Sequence, residues 1–296
     1  MKLRYIAAGA CILAASAAVS ADEFYVDVGA DMGGNANYAN GPTTTGWLEQ
    51  LQYQYRSVTT ADCPVPLLTS GCNISTTGGL DLSSTVAVAN NSVQLNKVVG
   101  TTPSEDFDDG PSSNGLNTLN GFNLTFSFDL TGTISGDDPL SLETDYTAGD
   151  VTFYYYDRAS RAAGALSGNP LDVYKELFTF NIFNTIQFTG GPTLFGQLTS
   201  VGSGLINGVE AGDVFNLATG SFKDLVDNMA NVLIKLDFNT DITEVTIADN
   251  GDGTSTLTGT HSGGFAVTNV PEPSTIALMG LGLLGMVGAS RRRLNK

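Results

Sequence analysis

Basic residues are scarce and histidine is nearly absent: Lys and Arg total 13 against 30 Asp and Glu, and His261 is the one histidine in 296 residues. The first shortage excludes nucleic acid as a partner, because neutralising phosphates takes clustered Lys and Arg. The one basic cluster is terminal: Arg291, Arg292, Arg293 and Lys296. The second shortage excludes multi-histidine zinc sites and leaves a Ser-His-Asp hydrolase a single choice of base. No Gly-x-Ser-x-Gly elbow accompanies it, and Ser262 is too close along a strand to face it. His261 therefore reads as an ordinary turn or strand-edge histidine. Three cysteines, with no Cys-x-x-Cys pair, argue against a thiolate metal site or a redox dithiol. An apolar fraction of 42% and a mean hydropathy of +0.05 exclude both a disordered acidic tail and a multi-span membrane protein.

The two ends read as addresses. Lys2 and Arg4, the apolar run Tyr5–Val19 and the small residues before Asp22 make residues 1–21 a secretory signal peptide, cut by signal peptidase after Ala21. Cys11 has too short an apolar stretch before it to be a lipoprotein cysteine. At the other end, Pro271-Glu272-Pro273 leads into the apolar, glycine-containing segment Thr275–Ser290, and Arg291-Arg292-Arg293 follow at once. As a helix this segment would measure roughly 24 Å, with the arginines holding its end on the cytoplasmic side. The two prolines stop helix from propagating back, which leaves Pro-Glu-Pro extended and open to a protease. A plain tail anchor is the simpler alternative.

Those three parts in that order resemble the PEP-CTERM sorting signal of exported bacterial proteins, on Pro271, Glu272, Pro273, the Leu281-Gly282-Leu283-Leu284-Gly285 stretch and the arginine triplet. The resemblance implies recognition by a membrane-embedded exosortase and cutting near Pro-Glu-Pro. It also implies release to the surface or exopolysaccharide matrix of a Gram-negative bacterium. It defines a route and not an activity. In composition, and in Gly208-Val209-Glu210-Ala211-Gly212-Asp213, the rest of the chain is similar to flocculation-associated members of that family.

Between the two addresses, residues 22–270 form the expected secreted domain, with seven basic side chains against 29 acidic ones, a formal charge of −22. Such a surface stays soluble and repels anionic polymers, unless divalent cations bridge the two. Cys63 and Cys72 should pair in an oxidising compartment, and closing so short a loop contributes roughly 2–3 kcal/mol in the simple entropy model. Apolar and polar residues alternate perfectly from Phe122 to Leu130, predicting a strand with one buried and one wet face. Similar patterns occur at Leu51–Arg56, Leu80–Ala89, Ser92–Val99, Val151–Tyr156, Leu177–Phe188, Val232–Phe238, Ile242–Ala248 and Phe265–Thr268. The expected fold is all-β, an antiparallel sandwich or jelly roll. One short helix, of about ten residues, is expected after an N-cap at Ser221, with Phe222, Leu225, Val226 and Met229 on its inner face. The polar stretch Thr101–Asn114 is either a domain boundary or one long loop.

Candidate sites are few. Glu105, Asp106, Asp108 and Asp109 crowd one loop, where a bound Ca²⁺ would relieve their repulsion; a solvated acidic loop is the alternative. Asp137 and Asp138 are a weaker pair. Asp249-Asn250-Gly251-Asp252-Gly253 fails the EF-hand spacing and reads as a hairpin turn. Trp47, Tyr53, Tyr55, Tyr154, Tyr155 and Tyr156 could stack against sugar rings, although alternation sends part of this set to the core. The acidic residues are too numerous for sequence to pick out a glycosidase pair. The expectation is therefore a non-enzymatic matrix or adhesive protein, without a cofactor other than calcium, and with exopolysaccharide as a partner. A carbohydrate-binding module or a secreted hydrolase are the alternatives.

Overall fold

A computed structural model describes residues 22–29, 38–64, 71–79, 94–100, 122–136, 142–157, 174–188, 191–229, 232–240 and 245–269. The expected signal peptide, the strand at Leu80–Ala89, the stretch Thr101–Asn114, Asp137, Asp138 and residues 270–296 lie outside these. The strands are β1 (Phe24–Val26), β2 (Leu48–Ala61), β3 (Cys72–Gly79), β4 (Gln94–Gly100), β5 (Phe122–Ser135), β6 (Glu143–Asp157), β7 (Lys175–Phe188) and β8 (Gly191–Val201). They continue as β9 (Leu205–Ile206), β10 (Val209–Glu210), β11 (Phe215–Leu217), β12 (Gly220–Ser221), β13 (Val232–Asp237), β14 (Asn239–Thr240), β15 (Thr246–Asp249) and β16 (Ser255–Asn269). The helix α1 covers Phe222–Asp227.

All pairings are antiparallel, as the alternating patterns require of a sheet wet on one face. Eight strands follow one another as neighbours, β2-β3-β5-β6-β7-β8-β13-β16, and β16 then pairs with β2 from Ser255↔Ala61 to Phe265↔Leu51. The sheet thus curls until it rejoins itself. β6 and β16 stand opposite each other in this ring, yet the Phe153 and Phe265 rings lie 5.0 Å apart. The barrel is therefore filled, and its opposed walls pack face to face as the two layers of a sandwich do. Gly196 makes room for this: a Cβ there would stand 2.5 Å from Cδ2 of Phe180.

The interior changes character from one end to the other. At one end Phe153, Phe178, Phe180 and Phe265 pack together, each buried. A flap of β1, β11, β12 and α1 covers them. Phe24 pairs in register with Leu217 and Leu48, and its ring meets Phe215 and Phe265; Phe222 lies 5.0 Å from Phe178. Burying a phenylalanine completely is worth roughly 1.5–3 kcal/mol, so this capped end carries much of the apolar stabilisation. Ser221 caps α1 by accepting from Asp224 N, and the Asp224 carboxylate accepts from Ser221 N. The helix is shorter than the expected ten residues. Asn228 ends it, and Met229 turns to a left-handed φ of 55° with its side chain in solvent, off the inner face.

At the other end the β2–β3 ladder runs out through Ala61↔Ile74 into a side-chain pair: Asn73 N and Nδ2 donate to the two carboxylate oxygens of Asp62, at 2.7 and 2.6 Å. The next rung is covalent. Cys63 and Cys72 form the expected disulfide, with Cα atoms 5.9 Å apart, so the bond staples the two strands in register.

Candidate functional site

Polar side chains gather inside the barrel towards the disulfide end. β2 shows the change along its own length: Leu51 and Tyr55 face inward, then Ser57, Thr59 and Ala61. Thr59 Oγ1 and Thr76 Oγ1 share a hydrogen bond of 2.9 Å across the β2–β3 pair, and Tyr146 OH donates to Thr76 Oγ1 at 3.2 Å. Burial pushes the Tyr146 phenol above its ordinary pKa, so it stays protonated and available as a donor. Ser255, at 0% exposure, places its hydroxyl in the same region.

His261 belongs to this cluster, in the middle of β16 and not at a turn or a strand edge. It pairs in register with Tyr55 on one side and Thr240 on the other, and its ring stacks on Tyr55 at 4.8 Å and 17°. His261 Nε2 and Ser57 Oγ share a hydrogen bond of 2.6 Å. Burial alone lowers the imidazole pKa from 6.5 to about 4, so the ring is neutral at physiological pH. A serine bonded to a histidine is half of a nucleophile-and-base arrangement. Here the hydroxyl is buried and the imidazole is a weak base, which fits a polar clamp between β2 and β16. The partners are separated by 204 residues, and no spacing in the sequence brings them together.

Of the aromatic set, Tyr55, Tyr154 and Tyr155 are buried, which removes them from a sugar-stacking surface. Tyr155 OH instead accepts from Asn207 Nδ2 at 3.1 Å. Trp47 is half-buried and packs edge-on against Tyr25 at 5.1 Å; the side chains of Tyr53 and Tyr156 lie outside the described residues. The segment Asp249–Thr254 is the expected hairpin turn between β15 and β16. Gly251 and Gly253 have φ of 77° and 90°, and the Asp249 and Asp252 carboxylates accept from Gly251 N and Thr254 N. Among the described residues no group of three or more His, Cys, Asp or Glu is placed to hold a metal; Glu105, Asp106, Asp108 and Asp109 lie outside them.

The last barrel strand ends at Asn269, where the sorting segment begins. Residues 269–293 match the family model of the PEP-CTERM protein-sorting motif. The chain carries an exosortase sorting signal. The PEP-CTERM match takes in Pro271, Glu272, Pro273, Arg291, Arg292 and Arg293, and its first residue is the last of β16, so no linker separates signal from barrel. The signal implies export, transit through a membrane-anchored stage and processing by exosortase. No helix among the described residues is long and apolar enough to cross a membrane, and Thr275–Ser290 lies outside them. No curated protein and no solved structure matches the chain.

Proposed function

We propose that the exported protein is a structural or adhesive component of the extracellular polysaccharide matrix, contributing to biofilm or floc cohesion and not to turnover of a substrate. One observation carries this reading: the PEP-CTERM signal is joined directly to a barrel whose interior is filled with its own side chains. What the sorting system delivers is then the barrel's outer surface. That surface belongs to a domain of formal charge −22, which calcium would bridge to anionic glycans. The part-buried Ser57–His261 pair holds β2 and β16 together in this reading. The test is a deletion strain, expected to form weaker flocs or biofilm; flocs of normal strength would reject the proposal. Intact mass of the surface-borne protein should begin at Asp22 and end near Pro271–Pro273.

A carbohydrate-binding module is the second reading, favoured by Trp47, which is half-buried beside Tyr25 and keeps part of its surface in solvent. Calorimetric titration with matrix polysaccharide, with and without Ca²⁺, separates the two. Binding that survives calcium removal and falls on Trp47→Ala supports the module.

A further inference from the structure

The position of the sorting signal on the barrel says which way the molecule stands while it is still tethered, an inference that rests on the exosortase reading. Asp22 N donates to Val267 O at 2.8 Å in an antiparallel bridge, taking over the flank of β16 that β2 leaves after Phe265↔Leu51. In an antiparallel pair the chain before one partner runs beside the chain after the other. Asp22 and Asn269, the first and last described residues, therefore both stand at the capped end. The sequence after Asn269 is apolar over Thr275–Ser290, and Arg291-Arg292-Arg293 place its remote end in the cytoplasm. With the signal peptide cut after Ala21, the barrel hangs from this one point on the outer face of the membrane that the tail spans.

Pro271 follows Asn269 by two residues, and at about 3.3–3.6 Å per extended residue Pro-Glu-Pro lies within roughly 7–14 Å of the barrel wall. A membrane-embedded protease can reach so short a spacer only if the capped end comes down to the bilayer surface. Two large apolar side chains project there. Met229, 90% exposed, precedes β13, whose Val232 pairs with Asn269; Leu205, 63% exposed, follows the end of β8 at Val201. Glu23 and Glu210 are exposed at the same end and would be repelled by an anionic bilayer, whereas Asp227 is ion-paired with Lys223. Contact therefore depends on the high local concentration that the tether imposes, and cutting the tether removes it.

We propose that the flap end of the barrel, through Met229 and Leu205, rests on the outer surface of the phospholipid bilayer during sorting, and that exosortase cutting alone releases it. The test uses the chain from Asp22 to Lys296, anchored by its uncut tail in phosphatidylcholine–phosphatidylglycerol vesicles that contain headgroup-nitroxide lipid. A fluorophore is placed in turn on Met229→Cys, Leu205→Cys and, at the opposite end, Asp145→Cys. The native disulfide leaves each new thiol as the one to be labelled. Quenching several-fold stronger at 229 and 205 than at 145 is expected. Equal quenching at both ends, or none at any position, overturns the proposal. Failure of the sorting reading shows separately, as an intact mass ending at Lys296 in cells, and leaves the quenching pattern untouched.

Discussion

The two ends of this barrel are held by different physics. At the capped end, Phe24, Phe215 and Phe222 come from two distant parts of the chain and close over Phe178 and Phe265. At the other end the strands are tied by hydroxyl pairs, the Asp62–Asn73 contact and a disulfide. The first kind of closure depends on area removed from water and on final assembly of the whole chain. The second is local in sequence where β2 meets β3, and it forms as soon as that hairpin is oxidised.

Four measurements would break or sharpen that contrast. Phe24→Ala should have the largest effect, about 3–5 kcal/mol by chemical denaturation, because it opens a cavity under the flap and weakens β1, which pairs with β2 and β11 just after the Asp22 bridge to β16. Acid comes next. His261 has a folded pKa of about 4 against 6.5 unfolded, so its unfolded form binds a proton first. Its contribution is complete above pH 6.5, is lost as pH falls towards 4 at about 1.4 kcal/mol per unit, and levels off below. Urea unfolding between pH 6.5 and 5 should show this slope, and His261→Gln should flatten it. Replacing both cysteines, Cys63→Ser with Cys72→Ser, should cost roughly 2–3 kcal/mol. The loss should leave the aromatic near-ultraviolet signal of the capped end in place at moderate denaturant. Smallest, Ser221→Ala removes the cap of α1 for about 1 kcal/mol, readable as a small fall in melting temperature.

How far the fold could be read from the sequence follows the same division. β5 and β6 were legible because Phe126, Phe128, Val151 and Phe153 alternate cleanly against polar neighbours. β3 was not, because its inward residues after Ile74 are Thr76 and the small Gly78–Gly79 pair, with hydroxyls in place of apolar side chains. β8 was hidden by its Gly191-Pro192 start and by Gly196, whose missing side chain is what admits the Phe180 ring. The middle of β16 contains no aliphatic residue from Gly259 to Gly264, so His261 looked like a turn residue although its ring fills space beside Tyr55. Rejoining of the sheet, and with it the Ser57–His261 pair, depends on contacts across most of the chain that periodicity does not encode. The sorting signal, a linear motif read by a protease, needs no fold to be recognised and was legible in full.

β16 has a mechanical consequence. Along one flank it is bonded to β2 from Ser255 to Phe265 and then to Asp22; along the other it meets β15, β14 and β13 in turn. Any pull delivered through the tail acts along the axis of this strand, loading the rungs of both ladders together in shear instead of peeling them one at a time. A barrel anchored by its carboxyl terminus in a flowing or contracting matrix would therefore be gripped at the strand best bound on both sides, and tension would spread around the wall before any rung gave way.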